Sequence, residues 1–129
     1  MSYNNRGVSP RSFRCTIAIA QYAAVMLDGT TKDNIVVTSA ITDDCIGFTQ
    51  QAGAAGEMVP VADFGEQKAI ASTTIAVNAP VMCDAAGKVT TQSGATSRGV
   101  GVALSAAGTG GADIITIRVR LSNKNPASA

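Results

Sequence analysis

A mainly β fold is what this 129-residue sequence predicts: a small barrel or sandwich-like domain of short strands, internally duplicated, with an extended N-terminal arm. Three observations predict it. The aliphatic residues are β-branched, 12 Val and 10 Ile against 3 Leu, and such stiff side chains suit pleated strands, whereas helical cores draw on Leu. Short apolar runs recur at close spacing between turn residues. Two stretches of the chain also read alike, offset by about 55 residues.

The elements follow in order. Residues 1–12 are polar, with Val8 their single aliphatic, and read as an extended arm, mobile until a partner orders it. Phe13, Cys15, Ile17 and Ile19 alternate with smaller or polar residues, as in a half-buried strand. Val25-Met26-Leu27 ends at Asp28-Gly29, a turn dipeptide. Short strands follow at 35–37, 45–48, 58–62, 68–71, 75–77, 81–83, 89–91 and 100–104. The last strand, 114–121, is the clearest, with Ile115, Ile117, Val119 and Leu121 on one side and Thr116, Arg118 and Arg120 on the other. The Ala-rich segments 52–55 and 103–107 contain or abut glycines and read as loops. Residues 122–129 are a short polar tail, which leaves 13–121 as one β-rich domain.

Within it, pseudo-repeats cover about 16–62 and 72–119. Ala24-Val25-Met26-Leu27-Asp28 matches Pro80-Val81-Met82-Cys83-Asp84, and Ile46-Gly47-Phe48 matches Val100-Gly101-Val102. Ala52-Gly53 is set against Ala107-Gly108, and Gly56 against Gly111, before the apolar runs from Met58 and Ile114. The 22 alanines make many inward positions small, so part of the stability is expected from contacts with other subunits.

Composition excludes most chemistry. There is no His and no Trp. Ser-His-Asp and Cys-His catalysis and His-ligated zinc are thereby removed. Cys15, Cys45 and Cys83 have no zinc spacing and sit in apolar runs, as small buried hydrophobes of a reducing compartment do. Gly99-Val100-Gly101 lacks the third glycine of a dinucleotide loop, and Asp28 to Asp33 puts Lys32 where a calcium loop needs an oxygen ligand. Asp43-Asp44 reads as a solvated loop. The expectation is a non-enzymatic chain without cofactor, metal or small-molecule substrate. The apolar run at 16–20 is too short for a secretion signal and no run is long enough to span a membrane, so synthesis in the cytoplasm is expected.

Charge is placed unevenly. The net charge is +1, which steers the chain to neither nucleic acid nor membrane. The ends nevertheless carry Arg6, Arg11 and Arg14, and Arg118, Arg120 and Lys124, without an acid. A basic arm docking on an acidic partner surface is the functional reading, with Arg6, Arg11, Phe13 and Arg14 as the partner-contact residues.

The stretch from Ala79-Pro80-Val81-Met82-Cys83-Asp84 through Gly87-Lys88-Val89, then Gly99-Val100-Gly101-Val102-Ala103-Leu104-Ser105-Ala106-Ala107 and Ile115 to Leu121, resembles the capsid cement (head-decoration) proteins of tailed bacteriophages. The resemblance covers roughly residues 13–121; Ala79 stands where the family commonly has glycine, and the arm is longer. It implies a virion protein on the outer capsid surface, bound to the major capsid protein, self-associating as a homotrimer and clamping coat subunits of the expanded head. The residues leave two other readings open: another phage structural subunit (fibre, tail or minor coat), or a host- or glycan-binding β-module.

Overall fold

In a computed structural model, residues 11–29, 33–93 and 99–121 are described, and they form ten short strands. β1 (Arg11–Cys15), β2 (Ala24–Leu27), β3 (Asn34–Val37), β4 (Gly47–Thr49) and β5 (Met58–Ala62) close a barrel in the order β1-β3-β2-β4-β5. Closure runs through a parallel β1–β3 pair (Cys15 opposite Ile35) and an antiparallel β1–β5 pair (Phe13 opposite Val59). β6 (Gly65–Ile70), β7 (Pro80–Cys83), β8 (Val89–Thr91), β9 (Gly99–Ala103) and β10 (Ile114–Val119) form a second sheet, ordered β6-β10-β9-β7-β8. Its two edges touch at one parallel bridge, Ala71 to Val89.

The second sheet repeats the pairing of the first. Val25 opposite Gly47 becomes Val81 opposite Gly101, and Leu27 opposite Ile35 becomes Cys83 opposite Val89. The bridge between Ile19 and Gly53 becomes Ile75 to Ala107. Counterparts thus lie 56 positions on for β1 and β2, and 54 on from β3 to Gly53. Two compensating length changes explain the shift. The β2–β3 turn, closed by the Asp28 amide on the Asn34 carbonyl, is two residues longer than its counterpart, closed by Asp84 on Lys88. The turn ahead of β5, where the Glu57 carboxylate accepts from the Ala54 amide (2.7 Å), is two residues shorter than the one where Asp113 accepts from Gly108 (2.7 Å). Gly53 therefore matches Ala107, one residue from the sequence alignment of Ala52-Gly53 with Ala107-Gly108.

Interior positions correspond one to one. Phe13, Cys15, Ile19, Ala23, Val25, Ile35, Val59 and Val61 pack inside or against the barrel wall, and their counterparts Ala69, Ala71, Ile75, Ala79, Val81, Val89, Ile115 and Ile117 line the second sheet. Gly47 and Gly101 hold the same place in β4 and β9. A Cβ at Gly101 would lie 2.1 Å from the Arg118 carbonyl oxygen, and one at Gly47 would lie 2.6 Å from that of Ala62. Both backbones also run at strongly positive φ, +154° and +159°, so only glycine allows the neighbouring strand to approach this closely.

The outer faces break the repeat. Ala24, Phe48 and Ala62 form a cross-strand row on the outside of the barrel, and all three are buried. Ala24, Phe48 and Cys45 join the core of the second half. The same row in the second half, Pro80, Val102 and Arg118, is exposed or half-buried. The halves are further tied where the Thr38 hydroxyl donates to the Asp84 carbonyl (2.9 Å) and the Gly87 amide donates to the Thr38 carbonyl (3.1 Å).

Several boundaries differ from expectation. Arg11 and Ser12, assigned to the arm, belong to β1 because they pair with Val61 and Pro60. Arm residues 1–10 and the tail 122–129 lie outside the described residues. The first strand stops at Cys15: Ile17 is exposed, and Ile19 meets Gly53 by a single bridge. Cys45 and Ile46 precede β4, and 75–77 reduces to the bridge between Ile75 and Ala107. β6 begins at Gly65, ahead of the expected Lys68, since β10 extends far enough to pair with it.

The asymmetry gives two stability predictions. Phe48→Ala removes a fully buried aromatic between the halves and should cost about 3–5 kcal/mol, whereas Val102→Ala, its half-exposed counterpart, should cost under about 1 kcal/mol, both read by denaturant unfolding. Gly101→Ala should cost about 3 kcal/mol or more in the same measurement, because the Cβ meets backbone that has no rotamer to yield.

Candidate functional site

The basic residues singled out in the sequence are held by the barrel. Arg11 opens β1 with its guanidinium on the Asp33 carboxylate (2.5 Å) and 4.7 Å from the Phe13 ring centroid. Arg14 donates from Nη1 to the Gly56 carbonyl (3.0 Å), which ties β1 to the turn ahead of β5. Both arginines are exposed, yet Asp33 offsets part of the charge at Arg11. Phe13 points inward and is 7% exposed, a barrel-core residue that offers a partner almost no surface. Arg6 lies outside the described residues. Arg11 and Arg14 are therefore the part of the set that the structure displays at the surface.

Potential chemical groups are occupied structurally. Asp43 Oδ2 accepts from the Ser39 amide (2.7 Å), the Ser39 hydroxyl (3.1 Å) and the Ala40 amide (3.0 Å), so this carboxylate builds a turn. Buried Thr49 donates to the Ala20 carbonyl (2.7 Å) and accepts from the Ala23 amide (3.0 Å). The Ser72 hydroxyl lies 3.0 Å from the Asp84 carboxylate. Among the described residues, no three His, Cys, Asp or Glu side chains stand together as a metal site would need, and no helix is long and apolar enough to cross a membrane.

All three cysteines are free and buried. Burial disfavours the thiolate and pushes Cys45 up to about 12 and Cys83 up to about 11. Cys15 is also raised, by burial first and then by the Glu57 charge. The thiolate is the reactive form, so these groups are poor nucleophiles.

What the surface offers is contact area. Leu27, Met58, Phe64 and Ile114 are about half exposed, and Met58 and Ile114 are counterparts at the starts of β5 and β10. One cleft, of about 270 Å³, is lined by Met26, Leu27, Asp44 and Ile46 at the mouth of the barrel. A second, of about 450 Å³, lies between β6 and the end of β10, where Phe64, Arg118 and Arg120 meet Glu66. Arg118 and Glu66 form a loose pair at 3.8 Å, both exposed. The sequence reading missed these apolar residues because Leu27 and Ile114 look like strand interior; only a fold shows that they are half exposed among the described residues. Phe64 carried a signal, an aromatic isolated between Asp63 and Gly65.

The family model described as phage cement protein matches residues 13–121. The fold is similar to that of the crystal structure of the head fiber gp8.5 N base in bacteriophage phi29, with a TM-score of 0.70 at 16% identity over 89% of this chain and 95% of that one. No curated protein sequence matches the chain.

The thiols give a direct check. At pH 8 an ordinary thiol is about one-tenth thiolate and a thiol at pKa 11 about one-thousandth. Cys45 and Cys83 should therefore resist alkylation in the native protein and react at once in denaturant, as followed by intact-mass spectrometry; rapid native labelling would contradict their burial.

Proposed function

The chain belongs to the phage cement protein family, and we propose that it binds the outer surface of the phage head and stabilises the expanded capsid by clamping neighbouring coat subunits. It is a structural virion protein of the capsid. The carrying observation is the family match over 13–121, a span that holds nearly all of the strand framework. The surface supports the same reading, with half-exposed apolar side chains and exposed arginines.

The partner in this proposal is the major capsid protein. A decoration protein stabilises by binding the assembled lattice more tightly than the loose one. Self-association as a homotrimer brings several modest contacts to one lattice position, so avidity replaces a single strong site. Residues 1–10, with Arg6, add a strand to a sheet edge of the coat protein, and Arg11 and Arg14 at the start of β1 fix where that strand leaves the barrel. No nucleic acid, membrane or small-molecule substrate enters this mechanism, and no enzymatic step.

The fold shared with a head-fibre base supports a second reading, in which the chain anchors a projecting fibre on the head. Images of decorated capsids separate the two: clamping places density across coat-subunit boundaries, whereas a fibre base rises from one site.

Deletion of residues 1–10 tests the arm and spares Arg11 and Ser12, which pair with β5. The melting temperature should stay unchanged. Affinity for undecorated expanded capsids should fall about tenfold, the ~1.4 kcal/mol that one or two main-chain hydrogen bonds contribute net. The remaining binding should depend less on salt, because Arg6 is gone. Equal occupancy by both proteins at two salt concentrations would assign docking to the β-domain alone.

A further inference from the structure

The two halves share one pairing scheme but differ in what covers them, and the difference is systematic. The outer row Ala24, Phe48 and Ala62 of the first half is buried, Ala24 and Phe48 in the core of the second half. Its counterpart is exposed at Pro80 and Arg118 and half-buried at Val102, with no equivalent cover among the described residues. The complementary surface behaves in the opposite sense. In the second half, Cys83 at the end of β7 is fully buried, capped by segment 40–45 of the first half: its thiol lies 3.4 Å from the Ala40 carbonyl and 3.6 Å from that of Asp43. The counterpart of Cys83 is Leu27, which is 52% exposed beside the cleft of Met26, Asp44 and Ile46. Val100 is buried, whereas its counterpart Ile46 is half-buried.

Each half thus carries a donor face and an acceptor end. Inside the chain, the donor face of the first half meets the acceptor end of the second. The donor face of the second half and the acceptor end of the first are left over. The geometry points to a second copy of this chain as what covers them: Pro80, Val102 and Arg118 of one copy dock head-to-tail on the Met26–Leu27–Ile46 cleft of the next, repeating between molecules the contact that joins the halves. Charge fits this occupant, since Arg118 is on the donor face and Asp44 lines the acceptor cleft. A contact between two different surfaces of identical subunits propagates, closing into a ring or running on as a filament, and does not stop at a two-fold dimer. The inference rests on the self-association in the proposed function and specifies its surfaces.

Complementation between two variants tests it in solution, with no capsid present. Full-length protein is followed by sedimentation and light scattering across a concentration series. The wild type should assemble beyond a dimer. Leu27→Glu and Val102→Glu, at one exposed and one half-exposed position, should each weaken assembly at least tenfold and run as monomers. Mixed in equal amounts, they retain one intact acceptor and one intact donor, and should form a 1:1 dimer that grows no further. Recovery by mixing also proves that both variants are folded. A monomeric or strictly dimeric wild type, a single variant that assembles as the wild type does, or a mixture that stays monomeric would each overturn the proposal. Capsid binding is read separately: a wild type that assembles in this way but leaves capsids bare overturns the decoration reading and leaves this one standing.

Discussion

Burial of Phe48 between the halves is the contact on which the rest of the molecule depends. Its strand closes the first barrel, yet the ring points outward and lies, fully buried, in the core of the second half. The second sheet meets at its seam by the single bridge of Ala71 and Val89, backed by the Ser72 amide on the Val89 carbonyl, and the interior residues there are small where the barrel has Phe13 and Cys15. Such an interior is short of apolar volume. Phe48, Ala24 and Cys45 supply what Ala69 and Ala71 do not, and burying one aromatic side chain is worth about 3 kcal/mol of transfer free energy. The two halves therefore form one core-sharing unit.

That shared core also sorts the surface. The outer row that the first half buries is more open at the equivalent residues of the second, with Val102 half-buried and Arg118 exposed where Phe48 and Ala62 are buried. A duplicated chain with an asymmetric internal contact ends with two unlike, complementary surfaces. For a virion structural protein this is useful physics, because lattice proteins work through repeated modest contacts, each too weak alone and effective together.

The arginines illustrate how tertiary placement changes a charge argument. As sequence, Arg11 and Arg14 add to a wholly basic N-terminal segment. In the fold, Arg11 meets Asp33 across the β1–β3 seam and Arg14 fastens the turn at Gly56, so both serve the barrel as well as its surface. An exposed ion pair of this kind contributes about 0–1 kcal/mol, so its main effect is to set where the chain enters the barrel.

Much of this was legible in the sequence, because it depends on local rules. The β-branched composition and the alternation through Ile115, Ile117 and Val119 determined the strands, the turn residues determined where they end, and the paired Val-Met and Gly47/Gly101 segments determined the duplication. The absence of His removed His-based catalysis and His-ligated zinc, and the Gly-Lys-Val and Gly-Val-Ala-Leu runs carried the family. Strand ends and the one-residue slip at Ala52-Gly53 were not legible, since each is set by a partner distant in sequence. Only the tertiary structure decided that Phe48 is buried and Val102 is not, or that Cys83 is covered and Leu27 is open. The physical reason is that equivalent strands with equivalent patterns differ there only in what packs against their outer side, and a pattern along the chain records periodicity, not which neighbour arrives to cover it.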